Sequence, residues 1–176
     1  MAFDVRQARP ADAPALFAMW RALMEQHMAL EPRFVLAADA DHRWRNDLAV
    51  WLVDDFHRFF VATDDGRPVG FVHGQRWRPY PIYGDALELF IAELYVDEAV
   101  RRSGLGGALL ERMRAWGREV RAARLRLGVL SRNAEGMAFW DASGAQALSV
   151  EYTIELEQTP ESAPKKPGRL GFFSGT

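Results

Sequence analysis

Between Glu93 and Glu111 the chain reads ELYVDEAVRRSGLGGALLE: an apolar run, two arginines, then Gly104, Gly106 and Gly107 at the head of a helical stripe. Leu105, Leu109, Met113, Trp116 and Val120 follow at spacings of 4, 4, 3 and 4, so one face of that helix is apolar. The first N–H groups of any helix lack an internal acceptor. Glycines let an anion approach that backbone, and the helix dipole favours negative charge there. Arg101 and Arg102 add positive charge. This combination can hold a phosphate or pyrophosphate. A glycine-rich turn that merely opens a helix would contain the same residues, so both readings stand at this point.

Two common phosphate loops do not fit. A Walker A loop ends Gly-Lys-Ser/Thr, whereas this loop ends Gly106-Gly107-Ala108. A dinucleotide fingerprint would put its third glycine at position 109, which is Leu109. Cysteine chemistry is excluded, since the chain contains no cysteine. His27, His42, His57 and His73 show no metal-ligand spacing, and no metal is expected.

The pattern that does fit is Arg101-x-x-Gly104-x-Gly106, and with it the sequence resembles the GNAT superfamily of acetyl-CoA-dependent N-acetyltransferases. Leu94-Tyr95-Val96-Asp97 is similar to the strand before that family's loop. Asn133, with Ala138 to Gly144, is similar to its next strand end and helix, and Val5 to Asp12 to its opening. The likeness spans about residues 3 to 156. It implies acetyl-CoA as acetyl donor. The pyrophosphate would lie on the amides of Arg102, Ser103, Gly104, Leu105, Gly106 and Gly107, beside Arg101. The pantetheine arm would pair with Leu94, Tyr95 and Val96 and with Asn133, and Phe139 and Trp140 would pack near the thioester. Asn133 as a strand-end cap, and Phe139 and Trp140 as core residues, are the plainer alternatives.

The resemblance also implies direct transfer to a neutral amine, which needs a base. Glu93 is ranked first and Glu88 is the alternative, with a water chain as a third route. The two acids are five residues apart, so strand alternation puts them on opposite faces unless a bulge intervenes. Many relatives use a tyrosine as acid where this chain has Trp140, with Tyr95 and Tyr152 as substitutes to consider. That gap leads to the expectation that losing Glu93 costs less than about tenfold, below the range typical of a general base. Glu25, His27, Glu31, Asp54 and Asp55 would attract a cationic amine, and Trp77, Tyr80 and Tyr83 would cover its body. A non-catalytic acyl-CoA-binding module is the competing reading.

The elements that must position these groups follow from periodicity. Strands are predicted over Phe3–Arg9, Phe59–Thr63, Pro68–Trp77, Ala86–Val96, Leu125–Leu130 and Ala147–Leu156, with a hairpin turn at Asp64 to Arg67. Helices are predicted from Ala13 to His27, capped by Asp12, and over Asp39–Asp54, Gly104–Val120 and Ala134–Ala142. The fold class is α/β (α+β). A mixed, mostly antiparallel central sheet flanked by helices is expected, and the resemblance implies in addition a splayed strand pair that would hold the cofactor.

The 176 residues suit a single domain over 1–156, followed by a Pro/Gly-rich tail over 157–176. Leu170, Phe172 and Phe173 in that tail point to a homodimer. Apolar residues make up 49% and charged residues 26% of the chain, the ordinary globular mix. Apolar runs are short, as in Ala49 to Val53, and the first ten residues lack a signal-peptide pattern, so neither membrane insertion nor export is expected. A cytoplasmic location is the expectation. The net charge is −2, yet nine arginines and four acids between Tyr95 and Arg132 make that stretch +5. A local basic patch suits a small anionic ligand better than nucleic acid. The acceptor is expected to be an amine on a small molecule or peptide.

Overall fold

The computed structural model describes residues 3–79, 82, 84 and 86–156. Its contacts divide the chain into one unit over 1–145 and a second over 146–176. Among the described residues, the strands and α-helices all fall in the first unit: β1 Asp4–Gln7, α1 Ala13–Leu30, α2 Ala40–Trp51, β2 His57–Asp64, β3 Arg67–Trp77, β4 Glu88–Val96, α3 Leu105–Glu119, β5 Leu125–Leu127 and α4 Ala134–Ala142. The strands lie in the order β1-β2-β3-β4-β5. The first three pairings are antiparallel and β4–β5 is parallel. This is the mixed, mostly antiparallel sheet expected.

Helices cover both faces of the sheet. On one side Leu105, Leu109, Met113 and Trp116 of α3 are buried with Phe60, Val72, Leu89 and Ile91. On the other, Leu16, Met19 and Trp20 of α1 and Trp44 and Leu48 of α2 pack on Phe59, Val61 and Phe71. Trp20 and Trp44 stack at 4.8 Å, joining the two helices. The apolar stripes therefore bury as their spacing requires.

Two local features depart from alternation. The ladder pairs His73 with Glu93 but Gly74 with Ile91, so Ala92 is an extra residue in β4. Such a bulge reverses which face each later side chain takes. Leu89 and Ile91 meet α3 before it, and Leu94 and Val96 pack on the same cluster after it. Glu88 and Glu93 therefore share the face opposite α3. The second departure is the end of β5. Its ladder with β4 stops at the Ile91–Leu127 pair, three residues short of the expected Leu130, because β4 bends at the bulge. Beyond Ile91, β4 continues to Val96 and, among the described residues, pairs there with β3 alone.

Residues 147–156, expected as a strand, form no regular element. Leu148, Val150, Tyr152, Ile154 and Leu156 alternate but are exposed. Asp12 is also placed differently. It makes no side-chain cap to α1; its carboxylate accepts from the Arg9 N–H at 2.7 Å and from Arg6 at 2.7 and 2.8 Å. The tail residues Leu170, Phe172 and Phe173, and the loop residues Tyr80 and Tyr83, lie outside the described residues.

Candidate active site

After β4 the chain makes a single 3-10 turn over Glu98–Val100, capped by Asp97, whose carboxylate accepts from the Ala99 N–H at 3.0 Å. Arg102 then takes a φ of 60° and Gly104 a φ of 89°, both left-handed. Glycine adopts that region freely; arginine does so at a cost that marks a constrained loop. Ser103 donates to the Val100 carbonyl at 2.6 Å and holds the bend. Gly104 stands at the N-cap of α3 with no side chain to cap it, and the helical ladder begins at Ala108, which donates to the Gly104 carbonyl at 3.1 Å. The N–H groups of Leu105, Gly106 and Gly107 precede that first bond.

The loop's basic residues divide their work. Arg101 turns inward. Its Nε donates to the Val96 carbonyl at 3.2 Å, and its other nitrogens reach Gln26 of α1 at 3.0 Å and Glu135 of α4 at 3.4 Å. It ties three elements together, while Arg102 is exposed. Phe139 and Trp140 meet edge to face at 4.9 Å and pack against the α3 side of the core. Asn133 caps α4 through its Oδ1, which accepts from the Gly136 N–H at 2.8 Å. Asn133 thus caps the helix that follows it and not the end of the strand before it, while Phe139 and Trp140 pack as core residues.

The acids separate clearly. Glu88 is buried at the start of β4 and is held by Arg124 at 3.0 Å and Arg126 at 3.6 Å, which makes it half of a structural ion cluster. Glu93 stands where β4 has lost β5 as a neighbour. One of its carboxylate oxygens is bound by Nδ1 of His73 in a very short hydrogen bond. His73 is 2% exposed, and its Nε2 lies 2.9 Å from Nδ1 of His57. Phe59 stacks on His73 at 3.9 Å, and Trp51 stacks on both imidazoles at 5.1 and 5.2 Å. Tyr95, two residues beyond Glu93, shares its face and packs on Phe71. Burial, then the nearby Asp97, raises the Tyr95 hydroxyl above its ordinary value.

Sequence reasoning missed this histidine pair, although a signal was present. His57 and Phe59, like Phe71 and His73, sit two apart on their strands. Counting outward from the turn at Asp65 and Gly66 brings Phe59 to within a residue of His73.

On the α1 side, a cavity of about 280 Å³ is lined by Met24, His27, Met28, Arg33, Phe34, Val35 and Leu36. Burial lowers the His27 pKa while the negative charge of Glu93 opposes the shift, so the cavity wall and Glu93 are electrostatic neighbours. Among the expected cation-attracting acids, three are already engaged. Glu31 is bound by Arg33 at 2.7 Å and held down to about 2. Asp54 accepts from the Phe56 and His57 N–H groups at 2.8 Å each. Glu25 lies 3.7 Å from Arg21. Among the described residues, no group of three or more His, Cys, Asp or Glu could hold a metal ion, and no helix is long and apolar enough to cross a membrane.

The fourth and fifth strands of the mixed sheet part close to the uncapped, glycine-rich start of α3. Residues 18–145 match the Acetyltransferase (GNAT) family, and the chain belongs to that family. Among solved structures, a tetramutant of the BH1408 protein from Bacillus halodurans is 16% identical over 87% of this chain and 99% of its own, with a TM-score of 0.76. A ribosomal-protein-alanine N-acetyltransferase from Brucella melitensis biovar Abortus is 20% identical over 88% of this chain and 100% of its own, with a TM-score of 0.65. The aminoglycoside N-acetyltransferase AAC(6')-Iy, in complex with CoA, is 20% identical over 89% and 95%, with a TM-score of 0.64. At these identities the likeness is one of fold.

Proposed function

We propose that the protein transfers the acetyl group of acetyl-CoA directly to a primary amine of a small molecule or peptide, with Glu93 as the base. The observation that carries this reading is the placement of an ionisable carboxylate, pinned on one oxygen by a buried histidine, where β4 loses its neighbour.

The residues present fit an acyl-CoA. A Cβ added at Gly107 would meet nothing within 4 Å, so the head of α3 is open to an anion there. The N–H groups of Leu105, Gly106 and Gly107 would hold the pyrophosphate, with Arg102 adding charge. The side of β4 beyond Ile91 that β5 leaves uncovered would hold the pantetheine amides, as a strand neighbour would. When bound, the donor supplies an acetyl group activated as a thioester.

The chain's own residues then handle the amine. Its ammonium form is the common one at neutral pH, since an alkyl ammonium has a pKa of about 10.4. The oxygen of Glu93 that His73 leaves free accepts a proton from that ammonium, directly or through one water. The His73 N–H keeps the carboxylate in place while it does so. Tyr95, on the same face and with its hydroxyl raised above its ordinary value by burial, returns a proton to the leaving thiolate and regains one from the nitrogen as the amide forms. The cavity beside His27, mostly Met, Phe, Val and Leu, takes the aliphatic arm that carries the amine.

The test is a panel of polyamines, amino acids, aminoglycosides and short peptides incubated with acetyl-CoA, read by thiol release and product mass. Acetylated product from one chemical class supports the reading. Acetyl-CoA binding with no product from any class would leave an acyl-CoA-binding module.

A further inference from the structure

We propose that His73 and His57 are positioning residues for Glu93: a two-histidine relay that pins the carboxylate and carries one proton between its inner end and the protein surface. The proposal rests on Glu93 being the base.

The hydrogen bonds dictate the tautomers. An ionised carboxylate only accepts, so Nδ1 of His73 must carry the proton that Glu93 receives. A neutral imidazole has one N–H, which leaves Nε2 of His73 as an acceptor. Nδ1 of His57, 2.9 Å away, must then be the donor, and Nε2 of His57 holds a lone pair. Both N–H bonds point toward Glu93. Stacking by Phe59 and Trp51 holds the two ring planes, so neither imidazole turns out of line.

His73 is buried and His57 part-exposed, so a proton from solvent enters the histidine pair at His57. When Nε2 of His57 takes a proton from solvent, its Nδ1 proton passes to Nε2 of His73. His73 becomes an imidazolium against the Glu93 carboxylate, and His57 is again neutral, now with its proton on Nε2. One proton has entered, and the bond between the rings has reversed. The reverse sequence releases that proton to solvent. An imidazolium donor on Glu93 makes the carboxylate a weaker base, so the relay sets when the base is active.

Among the described residues, the inner ring is hydrogen-bonded to a carboxylate and the outer ring is not. His73 faces Glu93 from β4, while His57 faces Asp54 and Asp47 from beyond and within α2, and His73 from β3. Burial, then the neighbouring His73, lowers His57 despite those acids and Glu93. His27 faces Glu93 from α1. His57 is thus a conduit that does not keep the proton.

Nitrogen-15 NMR of the histidine side chains in the full chain, without ligand, tests the relay independently of any acceptor. Above neutral pH, His73 and His57 should both carry their proton on Nδ1. On acidification His73 should gain a charge while His57 changes to the Nε2–H tautomer at the same midpoint. His57 on Nε2 at high pH, or two histidines that titrate independently, would overturn the relay. His57→Phe keeps the stacked ring but removes the acceptor that a charged His73 needs. Because a bond to a charged donor is worth more than a neutral one, the His73 midpoint should fall by about one pH unit. With an acetylated amine in hand, the acid limb of kcat/KM should move by the same amount. His57→Gln, whose amide can donate or accept, should restore it. A loss equal at every pH would make the histidines purely structural. Failure to find any acceptor would instead strike the transferase reading and leave the NMR result standing.

Discussion

A Cβ built on Gly106 would lie 3.0 Å from Cε2 of Phe139, whereas one on Gly107 would meet nothing within 4 Å. The two adjacent glycines therefore answer to different demands. Gly106 lets α4 pack against the first turn of α3, and Gly107 leaves that turn open.

Gly106→Val should lower Tm, because the β-branched side chain must displace the Phe139 ring; overpacking of this kind typically costs about 1–3 kcal/mol. Gly107→Glu should leave Tm unchanged or raise it, since any residue other than proline improves on glycine within a helix, by up to about 1 kcal/mol. It should nevertheless weaken CoA binding, because a carboxylate enters the space reserved for phosphate. Thermal melts with and without CoA check both. Normal CoA binding by Gly107→Glu would move the pyrophosphate away from the head of α3.

The unsubstituted protein should gain stability from CoA, because the open turn exists only when α3 is folded and docked. At about 100 times Kd the gain is roughly 2.7 kcal/mol. An unchanged Tm in millimolar CoA would contradict the cradle.

Glu93→Gln should lower kcat/KM by about 10²–10⁴-fold with CoA binding retained, the range of a general base. The sequence alone led to an expectation below tenfold, because Trp140 replaces the tyrosine that many relatives use. The buried His73 bond is the reason for the larger figure. Glu88→Gln should behave oppositely. It strips the partner from Arg124 and Arg126 and lowers Tm, while the folded enzyme keeps its rate. A rate loss at Glu88 equal to that at Glu93 would transfer the base to the start of β4.

Stability should decline with acid in two stages. Burial lowers His27 and His57 below their unfolded value of about 6.5, so the unfolded chain binds more protons than the folded one just below that pH. Tm should start to fall as pH drops through about 6.5, and less steeply in His57→Phe. Asp12 and Glu31 are lowered by Arg6 and Arg33, so their contribution is present above the unfolded carboxylate range. It is lost as pH falls through about 4 toward the folded value of Glu31, about 2. A Tm that stays flat between pH 7 and 5 would show that the histidines are not buried neutral.

What the sequence by itself determined is what local chemistry and periodicity can express. The stripes on α1, α2 and α3, the hairpin turn at Asp65 and Gly66, and the glycine-rich start of α3 all depend on residues within a turn or two of one another. The mixed sheet and the family followed from their order. Tertiary structure decided everything that depends on which strand lies beside which. The extra residue at Ala92 is invisible in a single strand, because a bulge is defined only against the register of its partner. Yet it brings Glu93 onto the face of His73 and ends the β5 ladder. The bond from Glu93 through His73 to His57 joins three strands, with pair separations of 20 and 16 residues. Alternation in 147–156 is the converse case: the sequence pattern of a strand is present, yet none of these residues belongs to a regular element, since a strand is defined with its neighbour and not by itself.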